Sequence, residues 1–553
     1  MGVLSNKKNV SITSRISSQQ SIKSAWRTAI VLTTLLVLFV PLIALTVGVP
    51  LLLLVPLAGL TYFVYIVWTD QIAVGFGSAF FILLTFNANV PILSAQEFEY
   101  LNIYLFDLVL IPVALLGIYW YRNSSEKVPI LGIISTIALA LFALWSILSG
   151  IIGNGPSQLA ALIFGLEQMK LSLVLLTAIL YVLQTDPRFA VFPLLIAVIG
   201  HACFAFAQAV NGTIFGLSYL GEASSEEIAQ TTIGPLVYQA GQHTGGFVGT
   251  SRVLSGILLL CIPIFAVQLL GSRREAVLGL FGASVGGVLI LMSSTDAGWV
   301  AFVGVMLLVG CFFGILYGWR ANALFSRASL VTILAGGIIA LLHKWNVVTS
   351  SVGKGVAMLI STFPFTRPSS SSNGPEGASS SGESSSGSSS GSPQSDGSTV
   401  ESGGSSEPLS QGSVVDMSTL DIRLRQYDAA LDVAREYPLF GIGGSNFEII
   451  STTYGIPRGM SIHNIFLAHL AATGFPGLLL FLISLGAVFL HGILQVLRTS
   501  SERQLLIISI LAGFLGYLAF AFWTTLYNST PAMATFWGVC GIVVGMNVPA
   551  EES

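Results

Sequence analysis

The chain has 553 residues, of which 53% are hydrophobic and 9% are charged, and its formal net charge is -3. This composition excludes an ordinary soluble domain, in which about a quarter of the residues are charged, and it indicates a polytopic membrane protein. The near-neutral charge argues against nucleic acid as a partner, because that role needs a basic surface. All four cysteines fall in apolar runs, so we expect neither a disulfide framework nor a cysteine-based metal site.

The first segment, residues 1–27, is polar and basic. It contains no small-residue cleavage site after a short apolar core, so it is not typical of a signal peptide. We expect it to be retained as a cytoplasmic tail.

Apolar runs of about twenty residues, the length that crosses a bilayer, recur along the rest of the chain. They predict an all-α fold of about fourteen transmembrane helices, the first eleven within residues 28–344 and the last three within 465–547. The first two runs could instead form one re-entrant unit. The expected spans lie at roughly 28–47, 50–68, 72–90, 104–121, 129–152, 159–183, 190–209, 252–270, 276–295, 299–318, 328–344, 465–494, 504–524 and 531–547.

Basic residues between the expected spans fall on the side that carries the basic N-terminal tail. Because loops rich in Lys and Arg stay in the cytoplasm, that side is expected to be cytoplasmic. The same parity puts both termini, including the tail 548–553, inside the cell and the long insertion 345–464 outside a plasma membrane. The basic residues concerned are Arg122, Lys127, Arg188, Arg273, Arg274, Arg320, Arg327, Arg498 and Arg503.

The insertion has two parts of different composition. Residues 368–413 are rich in Ser and Gly, with scattered acidic residues and no basic one. Such a tract cannot bury enough apolar surface to fold, so we interpret it as a disordered acidic spacer. A glycosylated extracellular stalk is the alternative.

The second part, residues 416–464, begins with an amphipathic helix. Apolar residues recur at helical spacing from Leu420 to Ala434, and charged residues occupy the other side, which predicts a helix lying on a surface. Pro438 and the glycines that follow it end the helix and leave backbone N–H groups free to face an anion. His463 then directly precedes an apolar run long enough to span, so it is expected at the lip of the membrane.

Four motifs in this region resemble the O-antigen ligase and O-antigen polymerase family of membrane glycosyltransferases. They occur in the family's order over about sixty residues, which is more specific than any one motif. The resemblance implies an architecture like that of other multispanning (GT-C) glycosyltransferases and transfer of a glycan from a polyprenyl or dolichyl diphosphate carrier, without metal or cofactor. The motifs are Arg423-Leu424, Pro438 to Gly443 with Asn446-Phe447, His463-Asn464, and Gly474 to Gly477.

Arg423 and His463 are the expected catalytic residues. A guanidinium stays charged at any pH and pairs two phosphate oxygens, so Arg423 suits the carrier diphosphate. The alternative is that Arg423 pairs with Asp421 or Asp428 on the exposed helix face. A neutral imidazole can take the proton of an acceptor hydroxyl, which makes His463 the candidate base, although a histidine at a helix start is often only a surface or capping residue.

The expected substrate-binding residues are Arg458, Arg252, Lys170 and, from the family motif, Asn446 and Asn464. Arg252 opens an expected span from the outer side and can reach the headgroups, where simple lipid contact is the alternative. Lys170 lies three residues after Glu167, so it either forms an ion pair inside the membrane or reaches the diphosphate.

The resulting hypothesis is a metal-independent enzyme that moves a glycan from its lipid carrier to an acceptor hydroxyl at the outer face of the membrane. The acceptor could be a lipid or a protein, as for a ligase, or another glycan, as for a polymerase. A lipid or glycan transporter is the alternative from another class, and it predicts inverted repeats that the sequence lacks. The sequence also lacks an Asp-x-Asp motif for a nucleotide sugar, in keeping with a lipid-linked donor.

Overall fold

The computed structural model describes residues 72–95, 99–124, 126–211, 215–217, 220–222, 230–233, 236–239, 245–268, 273–292, 298, 300–307, 419–499 and 502–546. The expected N-terminal tail, the spans at 28–47, 50–68 and 328–344, and the Ser/Gly-rich tract lie outside these residues. In the described part, the chain is mostly helical.

The helices follow the apolar runs of the sequence. Six of those in the described residues are long and apolar enough to cross a membrane: α3 (Ile130–Ile152), α4 (Gln158–Gln184), α5 (Arg188–Asn211), α6 (Ser251–Gln268), α10 (Ile465–Arg498) and α11 (Glu502–Ala521). The remaining helices are α1 (Ile72–Leu83), α2 (Asp107–Asn123), α7 (Arg273–Met292), α8 (Thr419–Glu436), α9 (Phe447–Ile450) and α12 (Thr530–Gly545).

Two short hairpins interrupt this helical pattern. Strand β1 (Asn89–Ala95) pairs antiparallel with β2 (Glu99–Tyr104), and β3 (Gln230–Ile233) pairs with β4 (Leu236–Gln239). The first hairpin shortens the span expected at 72–90, because α1 ends at Leu83. Thr85, Asn87 and Asn89 interrupt the apolar run there, and the Asn87 carbonyl accepts a hydrogen bond from the Asn89 side chain.

The spanning helices pack into one bundle. Helix α3 packs against α4 and α10, α4 packs against α12, and α6 packs against α11. Large aromatic side chains fill the interior, and Trp537, Tyr517 and Phe481 are fully buried. The end of α3 and the starts of α4 and α10 meet at one end of the bundle, where Ser149 on α3 donates to the Ala472 carbonyl and the Ser157 N–H donates to Asn446.

Helix α8 lies across that end of the bundle, as the amphipathic pattern predicts. Its buried face consists of Tyr427, Ala430 and Val433, which pack with Ile442 and Ile462 in a separate apolar cluster. Asp428, Asp432 and Arg435 on its other face are exposed. The helix therefore forms a platform whose inner face meets the start of α10.

Helix α10 bends at Gly474, which is the start of the predicted Gly-x-Pro-Gly motif. Gly474 has φ +68° inside an otherwise helical stretch, a value that favours glycine. The bend lets the Phe475 N–H donate to the Pro438 carbonyl at 2.8 Å. This contact ties the turn after α8 to the spanning helix.

Candidate active site

The site is built where α8 meets the first turn of α10. His463 is half-buried and directly precedes Asn464, the N-cap of α10, whose side-chain oxygen accepts from the N–H groups of Phe466 and Leu467 at 2.9 and 3.1 Å. This cap satisfies backbone donors that a helix start leaves open. Asn464 thus fixes the position of His463, and its own side chain is engaged in the cap.

The tautomer of His463 follows from the two oxygens beside its ring. Nδ1 lies 2.9 Å from Oε1 of Gln426 and 3.1 Å from the carbonyl oxygen of Ser461. A carbonyl can only accept, and the His463 backbone N–H, 3.3 Å from the same Gln426 oxygen, also requires an acceptor there. We therefore assign the proton to Nδ1, which leaves the lone pair on Nε2.

A second contact from α8 fixes the backbone of His463. The Tyr427 hydroxyl donates to the His463 carbonyl at 2.9 Å and lies 3.2 Å from the carbonyl of Phe522, at the end of α11. Burial raises the pKa of Tyr427 to about 12, so this hydroxyl keeps its proton. Adjacent residues of one helix therefore hold the ring and the main chain of the histidine.

Two arginines act on His463 from different helices. Burial, and after it the positive charges of Arg423 on α8 and Arg252 on α6, together lower the pKa of His463 to about 4. The Ser461 carbonyl, which stabilises the protonated ring, opposes them. The imidazole is therefore neutral at physiological pH.

A cavity of about 140 Å³ opens beside Arg252. Its wall is rich in hydroxyl groups that come from the start of α6 and from the loop between α11 and α12. Thr250 immediately precedes α6, and its hydroxyl accepts from the Val253 N–H at 3.3 Å. The lining residues are Thr250, Ser251, Arg252, Val253, Thr524, Thr525 and Leu526.

The other expected binding residues have different surroundings. Arg458 is exposed in the turn five residues before His463. Asn446 is 1% exposed, and its amide bridges the bundle, accepting from the Ser157 N–H at 2.9 Å and donating to the Ile442 carbonyl at 2.8 Å. These contacts give Asn446 a clear structural role.

Lys170 lies in a partly buried ion cluster of the bundle. Its Nζ is 3.1 Å from Glu167 on the same helix and 3.1 Å from Asp107 at the start of α2, and it donates to the Asn102 carbonyl at 2.9 Å. The ion-pair alternative predicted Glu167 but missed Asp107, which lies 63 positions earlier in the chain. Lys170 is not among the charges that act on His463, which are Arg423 and Arg252.

Several residues of the site were not predicted from the sequence. Gln426 lies three positions after Arg423 and so shares its side of the helix, which is the only signal that could have indicated it. Tyr427 appeared as an ordinary member of the apolar face. Thr524 and Thr525 follow the apolar run of α11, and no local pattern distinguishes them from a simple helix end.

Taken together, the fold and this site define a polytopic helical membrane protein with a neutral histidine and two arginines at one end of its bundle. Residues 280–482 match the family model described as O-Antigen ligase. The match supports assignment to the O-antigen ligase and polymerase family and confirms the resemblance carried by the four motifs. A comparison with curated proteins gave no match.

The range matched by the family model covers only part of the candidate site. It contains α8, His463 and the bend at Gly474, whereas Arg252 and the loop at 522–529 lie outside it. The family function that the match supports is that of a ligase or a polymerase.

Proposed function

We propose that the protein is an O-antigen ligase-like glycosyltransferase, which moves a glycan from a polyprenyl diphosphate carrier to an acceptor hydroxyl at the outer face of the membrane. The observation that carries this proposal is His463 held with its proton on Nδ1. The charges of Arg423 and Arg252 act on this ring, and Arg252 also lines a cavity rich in hydroxyls. Positive charge suits a departing diphosphate, and a neutral imidazole suits the incoming hydroxyl.

The donor's diphosphate fits the cavity next to Arg252. Ser251 and Thr525 offer hydroxyl donors there, and the start of α6 adds the partial positive charge of a helix N-terminus. Arg423, on α8, adds a second positive charge that acts on the same imidazole as Arg252. Two guanidinium groups would therefore neutralise much of the charge that develops on the leaving group.

The transfer step forms one bond at the anomeric carbon of the glycan and breaks another. The acceptor oxygen attacks the anomeric carbon of the glycan while the bond from that carbon to the phosphate oxygen breaks, and its electron pair goes to the diphosphate. The acceptor proton moves to Nε2 of His463, the nitrogen left with a lone pair. The imidazolium later returns this proton to solvent, and the resident charge of the arginines favours that return.

The carrier's isoprenoid chain has an apolar surface available below the site. Ile151 and Ile152 at the end of α3 are 60% and 51% exposed, and Phe475 and Leu479, just past the bend in α10, are each 58% exposed. These side chains continue from the site end of the bundle along its side. They would contact the carrier chain and membrane lipid.

An extracytoplasmic site in the plasma membrane is part of this proposal. Arg122, Lys127, Arg188, Arg498 and Arg503 flank helix ends opposite the site end of the bundle. Because basic loops face the cytoplasm, the site would face outward and both termini inward. The mechanism needs no metal, so we expect transfer to continue in the presence of a chelator.

A repeat-unit polymerase of the same family is the second candidate, since it would use the same donor chemistry with a carrier-linked glycan as acceptor. The two are separated by the surface glycan of a strain that lacks this protein. Long carrier-bound chains without acceptor would support the ligase, and acceptor carrying single repeats would support the polymerase. An unchanged glycan profile would contradict both and favour a different activity, such as transport.

A further inference from the structure

We infer that Asn528, in the loop between α11 and α12, is a positioning residue that acts on His463 through Ser461. The Asn528 amide nitrogen lies 2.7 Å from the Ser461 hydroxyl. The carbonyl of the same Ser461 lies 3.1 Å from Nδ1 of His463. This inference rests on the proposed role of His463 as the base.

The Asn528 amide has a second acceptor that fixes its direction. Oε1 of Glu448 is 3.4 Å away, and Glu448 is only 7% exposed. The carbonyl of Glu448 also accepts from Gly459 at 3.0 Å and from the Ser451 hydroxyl at 3.1 Å. Glu448 therefore belongs to a rigid set of contacts and can anchor the amide of Asn528.

Without the contact from Asn528, the segment between Glu448 and His463 would be held at few points. Ser451 also donates to the Pro457 carbonyl at 2.9 Å, which closes the turn that carries Arg458. The contact from Asn528 then holds Ser461, two positions before the imidazole. Loss of this contact would release one of the two oxygens that keep the proton on Nδ1.

Loss of the Asn528 contact would change which nitrogen of His463 carries the proton. Without the Ser461 carbonyl in place, a larger share of His463 would carry its proton on Nε2, where the acceptor's proton must go. Fewer molecules would hold a competent base, while the arginines and the cavity for the donor would be unchanged. The loss should therefore appear in kcat, with KM for the donor preserved.

A double-mutant cycle tests this inference with the full-length protein and a polyprenyl diphosphate-linked glycan. We expect Asn528→Ala and Ser461→Ala each to lower kcat roughly 10- to 100-fold at unchanged donor KM, the scale of loss that misplacement of a catalytic group causes. Because both variants break the same contact, the double variant should lose no more than either one alone. Ser461→Thr, which retains the hydroxyl, should keep kcat near that of the wild type.

Thr453→Ala is the matched control, because Thr453 is exposed in the same segment and its hydroxyl donates only to the Ile450 carbonyl. Losses that multiply in the double variant, a wild-type kcat for Asn528→Ala, or a rise in donor KM at unchanged kcat would each overturn the inference. If Ser461→Thr folds and loses as much as Ser461→Ala, the hydroxyl contact is not the cause and the inference also fails. Absence of transfer by the wild type would instead contradict the proposed function.

Discussion

His463 combines two properties that rarely occur together in an ordinary surface histidine. Its proton is fixed on Nδ1 by two oxygens, and its pKa is held low by burial and two arginines. A base of low pKa is always available at neutral pH but accepts a proton weakly. It suits a reaction in which the glycosidic bond is largely broken before the acceptor proton moves.

The pH dependence of transfer tests the electrostatics of His463. The acid limb of kcat/KM should lie near pH 4, because this parameter reports the free enzyme, whose His463 has a pKa of about 4. The acid limb of the kcat profile should lie at higher pH. The negative charge of a bound diphosphate offsets the charge of the arginines and so makes protonation of the His463 ring easier. Initial rates across a pH series give both limbs. A fall in kcat/KM already near pH 6.5 would show that burial and the arginines do not act on this histidine.

Gln426→Glu tests the contact to Nδ1. A carboxylate 2.9 Å from this nitrogen would stabilise the protonated ring, so the acid limb of kcat/KM should move up by about one unit or more. Gln426→Ala is the control, since it removes the contact without adding charge and should lower kcat with no upward shift. An acid limb that is the same in the Glu variant and the wild type would refute this arrangement.

Among the elements, α8 and the start of α10 were the most predictable from sequence. The amphipathic period of α8 determines which face of the helix is buried, and Pro438 and the glycines after it end the helix. Both effects depend only on nearby residues, so the sequence reveals them. The hairpin from Asn89 to Tyr104 was not predicted. It lies almost wholly between the expected spans at 72–90 and 104–121, and only the pairing of β1 with β2 identifies this connection as a hairpin.

The bend in α10 gives a test at the level of one helix. A Cβ at Gly474 would lie 2.5 Å from the carbonyl oxygens of Pro438 and Leu439, and φ +68° strains any other residue. We expect Gly474→Ala to destabilise the protein by about 1–3 kcal/mol and to reduce transfer. Thermal unfolding in detergent measures the change.

Gly486→Ala is the matched control for the bend, because Gly486 lies in the same helix and a Cβ there meets nothing within 4 Å. Alanine should be neutral or slightly stabilising at such a position. Equal melting temperatures for Gly474→Ala and the wild type would refute a structural role for the bend.

In the whole molecule, the site draws on chain segments that are far apart in sequence. Arg252 comes from α6, Arg423 from α8, His463 from the residue before α10 and Thr524 from the loop after α11. The motifs predicted Arg423 and His463 because both lie within one local pattern, and the position of Arg252 at a helix start supported its selection. Thr524 and Asn528 could not be found, since Thr524 joins the site only where the α11–α12 loop approaches α6 and Asn528 only through its contact with Ser461.

The Ser/Gly-rich tract lies outside the described residues, and we predict that it acts as a spacer. Deletion of Ser369 to Ser410 should leave transfer within about twofold of the wild type, because a tract of this composition does not fold into part of a site. The measurement is transfer at matched protein level in the membrane. Complete loss of transfer at normal expression would assign the tract a further role.

Release of carrier diphosphate by the purified protein tests the central claim most directly. With a polyprenyl diphosphate-linked glycan and an acceptor, the wild type should release free carrier diphosphate. Arg423→Ala and His463→Ala should each reduce the rate by roughly 100-fold or more, because charge stabilisation and general base catalysis are each worth that much. Arg435→Ala, an arginine on the same helix whose side chain is 75% exposed and pairs with Asp432, should release it at the wild-type rate. Equal rates for the wild type, Arg423→Ala and His463→Ala would contradict the account.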